Sequence, residues 1–236
     1  MIVQRLRAIG WIGFLLIFLT GCLYPVDKEV LQLPSEESLQ QVQAAVDAYY
    51  EDTDGLLPLK NSDSDTDIYI KYLIDFKKLV PNYLSQAPAN SFEKGGIFQY
   101  VIINAETDPE VKIFDLRITE VIRDIQMRLR TVEYPPYQDK ISKNVFTLDY
   151  TKLGFKEEPG VISPFTGHYL PLRITGEGKI IVDYASDLYQ MLRENREYSL
   201  QKGEDIRWIL TENSPFVPAY SLPYTVDEHG EPVFLE

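Results

Sequence analysis

The 236-residue chain carries 23 lysines and arginines against 36 aspartates and glutamates, a formal net charge of −13. So acidic a chain repels phosphate backbones and anionic lipid headgroups, which argues against nucleic-acid binding and against direct headgroup docking. A single cysteine excludes an internal disulfide framework, and two histidines leave few imidazole bases or metal ligands. The length is ample for a buried core without disulfides.

The first residues have the three-part layout of an export signal. Arg5 and Arg7 precede an almost wholly apolar run over residues 9–19, and small residues follow. That run is about half of the roughly 20 residues that span a bilayer, so an export signal is favoured over a permanent membrane helix. Leu-Thr-Gly-Cys at 19–22 resembles the lipobox of bacterial prolipoproteins. The resemblance implies that Cys22 receives a diacylglyceryl group and becomes the first residue of the mature protein.

This interpretation divides the amino-terminal part of the chain in two. Residues 1–21 are the predicted lipoprotein signal peptide, and residues 22–34 are a short lipid-anchored tether. Two acyl chains suffice for stable anchoring, so we expect the protein at the extracytoplasmic face of the cell membrane. Without the two arginines of residues 1–21, the remaining chain has a net charge of −15.

A helix is predicted directly after the tether. Ser35 is a suitable N-cap, and two glutamates follow in the first turn, where the helix dipole favours negative charge. Apolar residues then recur at three- and four-residue steps, which indicates one buried face. The pattern ends near Asp54-Gly55. The residues of this apolar face are Leu39, Val42, Val46 and Tyr49.

Three short signatures then recur in the same order. The first is an aspartate that opens an apolar turn, the second is a loop with serine and proline that ends in phenylalanine, and the third is a β-hairpin. The turns begin at Asp75, Asp149 and Asp205, and the loops end at Phe92, Phe165 and Phe216. The predicted hairpin arms are 98–102 with 111–114, 169–174 with 179–182, and 220–224 with 232–234.

The recurring signatures predict an α+β fold in which three related units of helix, loop and antiparallel hairpin form one compact assembly. The units are residues 35–114, residues 115–182 and a shorter third unit, residues 183–236. Asp115 and Asp183 each follow a strand and are predicted to cap the next helix. Prolines inside the later hairpin arms predict edge strands, where a missing backbone donor costs little.

Several motifs together resemble an uncharacterised family of extracytoplasmic lipoproteins of bacilli, the YphF type. Besides the lipobox, they are Leu-Leu-Pro-Leu at 56–59, Asp-Phe-Lys-Lys-Leu-Val-Pro at 75–81, Leu-Gly-Phe-Lys-Glu-Glu-Pro at 153–159 and Val-Pro-Ala-Tyr-Ser-Leu-Pro-Tyr-Thr-Val at 217–226. The resemblance covers nearly the whole chain. It implies a membrane-anchored protein of Gram-positive spore-formers and transfers no catalytic residue.

A partial resemblance links the first unit to the soluble domains of type II secretion pseudopilins. In those proteins a long helix ends in tyrosine, glycine and proline, much as Tyr50, Gly55 and Pro58 are placed here. The resemblance implies a helix packed on a small antiparallel sheet. The lipobox at Cys22 stands where those proteins carry a prepilin-peptidase site, so only the fold carries over.

An acidic run offers weak candidate calcium ligands, Asp63, Asp65 and Asp67. Their alternation is that of a calcium loop, but Ile68 and Ile74 occupy the positions that require glycine and glutamate, which excludes an EF-hand. With the nearby Asp52 and Asp54 the run could form an irregular site. A solvated acidic loop is the favoured interpretation.

The remaining chemistry is sparse. His168 and His229 both fall in predicted hairpin turns, where we expect them to be exposed, and the Gly-x-Ser-x-Gly motif of serine hydrolases is absent from the sequence. No motif selects a pair of carboxylates for glycoside hydrolysis. We therefore predict no enzymatic activity, no cofactor and no metal requirement.

Tyrosines beside prolines offer a candidate partner surface. Tyr134, Tyr137, Tyr220 and Tyr224 combine stacking area with a hydroxyl at low entropic cost, although packing of these rings in the core is favoured.

The leading hypothesis is a lipid-anchored, non-enzymatic binding or scaffold module for an envelope protein. Binding of a solute or cell-wall glycan for a transporter is the alternative, so a small-molecule ligand stays open. A carboxylate-dependent wall hydrolase is the remote alternative.

Overall fold

The computed structural model describes residues 33–195 and 198–235, so Cys22, the predicted signal peptide and nearly all of the tether lie outside the described residues. The described helices are α1 Glu36–Asp52, α2 Ile68–Lys71, α3 Phe76–Leu79, α4 Leu116–Leu129, α5 Ala185–Glu194 and α6 Trp208–Glu212. The strands are β1 Phe98–Ile103, β2 Glu110–Asp115, β3 Tyr137–Ser142, β4 Val145–Leu148, β5 Gly160–Ile162, β6 Tyr169–Thr175, β7 Ile180–Val182, β8 Tyr224–Val226 and β9 Pro232–Phe234. Helices and antiparallel sheets alternate, which confirms the predicted α+β class.

Helix α1 begins where its capping sequence predicts. The Ser35 hydroxyl accepts a hydrogen bond from the Ser38 backbone N–H (3.1 Å), and Glu36 lies in the first turn. One face of the helix is buried, at Val42, Ala45 and Val46. The predicted helix, its cap and its apolar face are therefore confirmed.

Helix α4 begins at the second predicted capping residue. The Asp115 carboxylate accepts from the Arg117 backbone N–H (2.8 Å), and the next turns bury Ile118, Ile122 and Ile125. At the third position, Asp183 accepts from the Ala185 backbone N–H (3.2 Å) ahead of α5. Asp115 therefore caps its helix as predicted, whereas Asp183 satisfies a backbone donor at the start of α5 from one residue before the N-cap position, which is Tyr184.

The strands form three antiparallel sheets. β1 pairs with β2, and β8 pairs with β9. The largest sheet has five strands, four of them in the order β3-β4-β6-β5, and β7 also pairs with β6. The first two predicted hairpins are confirmed to within a residue or two. In the third, the first arm lies at Tyr224–Val226 rather than 220–224, because Tyr220 has a positive φ of 58° that interrupts an extended strand.

Two strand features differ from the sequence predictions. The hairpin β3–β4 and the short β5 were not predicted, and five of the six residues of β3 are exposed, so the strand lacks an apolar alternation. Pro171 was predicted on an edge but lies in β6, which has neighbours on both sides. Its missing donor falls opposite Gly160, the first residue of β5, and its carbonyl still accepts from the Asp183 N–H (3.0 Å).

The order of helix, aspartate turn and hairpin occurs three times along the described chain. Asp75, Asp149 and Asp205 each accept a hydrogen bond from the backbone N–H two residues later, at 3.1, 3.2 and 3.1 Å. The intervening segments differ in length, and β3–β4 is present in the middle segment alone. A common origin for the three units stays a prediction.

Residues near the carboxyl terminus complete the first hairpin. The Ile113 N–H of β2 donates to the Pro215 carbonyl (2.9 Å), and the Val217 N–H donates to the Ile113 carbonyl (3.0 Å). Phe216 is buried in the core that α1, β1 and β2 share. The larger core lies between α4, α5 and the five-stranded sheet. The amino-terminal part of the fold therefore depends on residues about 100 positions away.

None of the helices within residues 33–195 and 198–235 is both long and apolar enough to cross a bilayer.

Candidate functional site

A cleft of about 590 Å³ opens between the end of β3 and the hairpin β8–β9. Its volume falls in the range of small-ligand and side-chain pockets, roughly 300–1,000 Å³. Residues from β3, from the start of α5 and from both strands of the hairpin line the cleft. They include Ile141, Ser142, Asp183, Ala185, Lys202, Gly203, Thr225, Asp227, Val233 and Phe234.

Two aliphatic side chains that line the cleft are partly uncovered. Ile141 of β3 is 47% exposed, and Val233 of β9 is 40% exposed. The bulk of Phe234 is buried beside them against Tyr224, with ring centroids 4.5 Å apart. Exposed aliphatic side chains in a concave site favour an apolar group as the ligand.

A buried polar network forms the base of the cleft. The Tyr224 hydroxyl donates to Asp183 Oδ1 (2.8 Å) and accepts from the Tyr184 backbone N–H (3.0 Å). Arg173 Nε donates to Asp183 Oδ2 (3.0 Å). Burial, together with the neighbouring Asp183 carboxylate, raises the pKa of Tyr224, so its hydroxyl stays a neutral donor.

These bonds limit what the cleft can do chemically. Both carboxylate oxygens of Asp183 already accept hydrogen bonds, so its side chain is held in one orientation. Asp227 accepts from the backbone N–H groups of His229 and Glu231 (2.8 and 2.9 Å), and these bonds lower its pKa. Asp183 and Asp227 are therefore both engaged in hydrogen bonds within the fold.

The predicted tyrosine surface is corrected by the structure. Tyr134 is 76% exposed and Tyr137 is also exposed, but Tyr224 is fully buried. The Tyr220 hydroxyl lies 2.8 Å from Thr119 Oγ1, and its ring packs edge-on against Phe114. The four rings do not form one surface, because prolines and backbone strain at 218–224 turn that segment into the core.

The three candidate calcium ligands differ in exposure and in hydrogen bonding. Asp63 and Asp65 are exposed, whereas the Asp67 carboxylate accepts from the Tyr69 backbone N–H (3.1 Å) and lies 2.8 Å from Arg207 Nη1. Within the described part of the chain, no group of three or more His, Cys, Asp or Glu side chains is placed to hold a metal ion. Asp67 therefore serves as a helix cap and an ion-pair partner.

Arg207 is the buried charge that sequence reasoning missed. Its side chain is 2% exposed, and its guanidinium pairs with Asp205 (2.8 Å) as well as with Asp67. It also donates to the Ser221 carbonyl (3.3 Å) and lies over the Tyr69 ring, 4.9 Å from the centroid. The aspartate turn at 205 was recognised from the sequence, but the partner at 67 is too distant in the chain to show a pattern.

A second buried acid lies outside the cleft. Asp187 on α5 is fully buried and accepts from the hydroxyls of Ser163 (2.7 Å) and Thr166 (2.5 Å). Burial raises its pKa, and the two hydroxyl bonds and the charge of His168 offset part of that rise. His168 and His229 are both exposed in turns, as predicted.

An acidic groove of about 790 Å³ lies between α1 and the loop of hairpin β1–β2. Gln43 bridges its walls, since its amide donates to the Pro109 carbonyl (3.0 Å) and accepts from the Val111 N–H (2.7 Å). Its charged lining residues are Asp47, Glu51, Asp108 and Glu110, without a basic residue.

Comparison with known proteins gives one family match. Residues 35–115, from the N-cap of α1 to the end of β2, match the sequence model described as the YphF family N-terminal domain. No curated protein and no solved structure matches the chain. Lipid anchoring and the pseudopilin resemblance therefore stay predictions. The match of its amino-terminal third supports a YphF-type protein.

Proposed function

We propose that the protein is a lipid-anchored extracytoplasmic module that binds an envelope protein and acts as a scaffold rather than as an enzyme. Cys22 provides the anchor in this proposal, through the lipobox resemblance. The cleft between β3 and the hairpin β8–β9 provides the binding site. The partner would insert an apolar side chain between Ile141 and Val233.

The binding proposal rests on one observation: two partly exposed aliphatic side chains, Ile141 and Val233, line the cleft, and a buried hydrogen-bond network forms its base. Interface energy concentrates in a few anchor side chains that fill well-packed pockets. Asp183 and Tyr224 hold the base of this cleft in one arrangement through four hydrogen bonds with Arg173, Tyr184, Ala185 and each other. A preorganised pocket binds with a smaller entropic cost than a mobile one.

The dimensions of the cleft also favour the alternative ligand class. A volume of about 590 Å³ accommodates a small solute or one or two sugar rings as well as a side chain. Photocrosslinking from a residue in the cleft distinguishes the two ligand classes. A protein partner should give a crosslinked product of higher mass. A solute should give no such product.

Site-specific photocrosslinking in cells tests the proposal. A photoreactive residue at Val233 of the full chain should produce a discrete crosslinked protein, and one at Leu56, which is exposed outside the cleft, should not. The product should vanish in a second variant with Ile141→Glu, because the new carboxylate faces the apolar group of the partner.

The proposal is contradicted if both positions give the same products, or if Ile141→Glu leaves the Val233 product unchanged. Loss of the product on adding wall glycan fragments or peptides, with no protein crosslink in their absence, would favour the solute-binding alternative.

A further inference from the structure

The outer face of α4 concentrates positive charge in a strongly acidic chain. Residues 116–130 contain four arginines and two acidic residues, whereas the whole chain has a net charge of −13. Arg128 pairs with Asp124, and Arg117 pairs with Asp115. Arg123 and Arg130 are exposed, and no carboxylate of the described chain lies within ion-pair distance of either.

Exposed apolar side chains accompany these arginines. Phe92 is 58% exposed, and it shares a groove of about 490 Å³ with two arginines, Arg117 and Arg123, and one acidic residue, Glu120. Met127, one helical turn after Arg123, is 57% exposed. Lys94 is exposed two residues after Phe92. We refer to Phe92, Lys94, Arg117, Arg123, Met127 and Arg130 as the arginine face.

The loop that carries Phe92 lies close to the point where the chain begins its first helix. The Tyr100 hydroxyl donates to Asn90 (3.1 Å), and Ser38, in the first turn of α1, lines one small pocket with Pro88 and Ala89. Glu36 is 14 positions after Cys22, a reach of at most about 50 Å. An anchor at Cys22 would therefore hold the arginine face within reach of the membrane.

We infer that the arginine face rests on the anionic lipid surface to which Cys22 anchors the protein. Unpaired arginines and a lysine gain from anionic headgroups, and Phe92 and Met127 can enter the interfacial layer. The acidic remainder of the chain is repelled by the same surface, which orients the protein with this face down. Overall charge argues against headgroup docking, but the local charge of this face reverses that expectation. The inference rests on the proposed anchor.

The test uses the lipidated full chain, whose one cysteine is consumed by the anchor. Phe92→Cys and Met127→Cys each introduce a thiol for an environment-sensitive fluorophore, and Ile162→Cys is the matched control, since Ile162 is similarly exposed on β5. Each labelled protein is reconstituted into vesicles of phosphatidylcholine alone or with phosphatidylglycerol. The emission maxima of the labels at 92 and 127 should shift to shorter wavelength on vesicles with phosphatidylglycerol, and that of the label at 162 should not.

Charge dependence provides the second measurement. Replacing Arg123 and Arg130 with glutamine should lower the equilibrium constant for docking by roughly fivefold for each arginine. The measurement is the fraction of protein with blue-shifted emission, which should decrease. Lys156→Gln, a surface lysine outside the face, should have no effect. Salt at about 0.5 M should release the face while the lipid keeps the protein on the vesicle.

Three outcomes overturn the inference. The first is equal emission at positions 92, 127 and 162 on both kinds of vesicle, and the second is a blue shift that Arg123→Gln/Arg130→Gln leaves unchanged. The third is a crosslink to a protein from a photoreactive label at position 92 without any lipid-dependent shift, which would assign the face to an acidic protein. Failure of the anchor itself is distinguishable, because the protein would then not co-sediment with the vesicles at high salt.

Discussion

Asp67 and Arg207 form an ion pair of 2.8 Å although 140 positions separate them in the chain. Asp67 precedes α2 in the family-matched region, and Arg207 precedes α6 near the carboxyl terminus. The buried Lys112 makes a parallel connection, since its ammonium donates to the carbonyls of Thr211 and Ser214, each at 2.9 Å. The matched domain and the carboxyl-terminal segment are thus joined by buried charges as well as by backbone pairing.

Substituting Asp67 should destabilise the fold. Asp67→Ala leaves the buried Arg207 with Asp205 as its one carboxylate and removes the cap of α2, so we expect a loss of about 3 kcal/mol in the free energy of unfolding. Asp65→Ala, two residues earlier and exposed, should change it by less than about 0.5 kcal/mol. Urea unfolding of both variants measures the difference, and equal midpoints would refute a stabilising role for the pair.

Asp187 should make stability fall with rising pH. Its folded pKa is raised mainly by burial, so the folded protein retains this proton over a pH interval in which the unfolded chain has lost it. The contribution of this group to the free energy of unfolding therefore decreases as pH rises above about 4. Asp187→Asn removes that titration, and the rotating hydroxyls of Ser163 and Thr166 can still bond with the amide.

Urea unfolding of the wild type and Asp187→Asn between about pH 4 and 7 measures this effect. The stability of the variant relative to the wild type should rise across the interval. A difference that is independent of pH would show that Asp187 has no raised pKa in the folded protein.

Two adjacent glycines should respond differently to alanine. A Cβ at Gly96 would lie 2.0 Å from the Asn90 carbonyl oxygen, which is backbone and cannot move aside. A Cβ at Gly95 meets nothing within 4 Å, and its cost comes from a φ of +84°. We expect Gly95→Ala to cost about 1 kcal/mol and Gly96→Ala several times more. Thermal unfolding of both variants tests the order, and a milder effect at Gly96 would contradict the close approach.

Loss of the hydroxyl should affect stability at the buried Tyr224 but not at the exposed Tyr134. Tyr224→Phe removes the hydroxyl that bonds with Asp183 and with the Tyr184 N–H, so we expect a loss of about 2 kcal/mol. Tyr134→Phe, on an exposed ring, should stay within about 0.5 kcal/mol. Chemical denaturation of the two variants provides the comparison, and equal stabilities would mean that the network beneath the cleft contributes nothing measurable.

Local signals in the sequence predict the elements well. The caps at Ser35 and Asp115 and the β-rich arms of the first two hairpins depend on a few neighbouring residues, and each is found where the pattern places it. Asp183 bonds with the start of α5 from one residue before its N-cap position. β3 escaped prediction because its stability comes from pairing with β4 and not from an apolar face of its own.

The candidate site was less accessible to sequence reasoning. The cleft combines residues from β3, α5 and the last hairpin, and no spacing within the chain relates Ile141 to Val233. Tyr224 was singled out for its proline neighbours, but the same segment closes on Asp183 and buries the ring. Likewise, the net charge of −13 describes the whole chain and does not indicate that four arginines lie within residues 116–130.

Cys22 is the residue on which both the proposed binding function and the membrane docking of the arginine face depend, since each requires an anchored protein. The decisive measurement is metabolic labelling with a fatty-acid analogue, followed by membrane fractionation, for the full chain and for Cys22→Ser. We predict that the wild type is labelled and sediments with membranes, and that Cys22→Ser carries no label and is released or mislocalised. A Cys22→Ser variant that stays membrane-bound and keeps its lipid label would contradict the account.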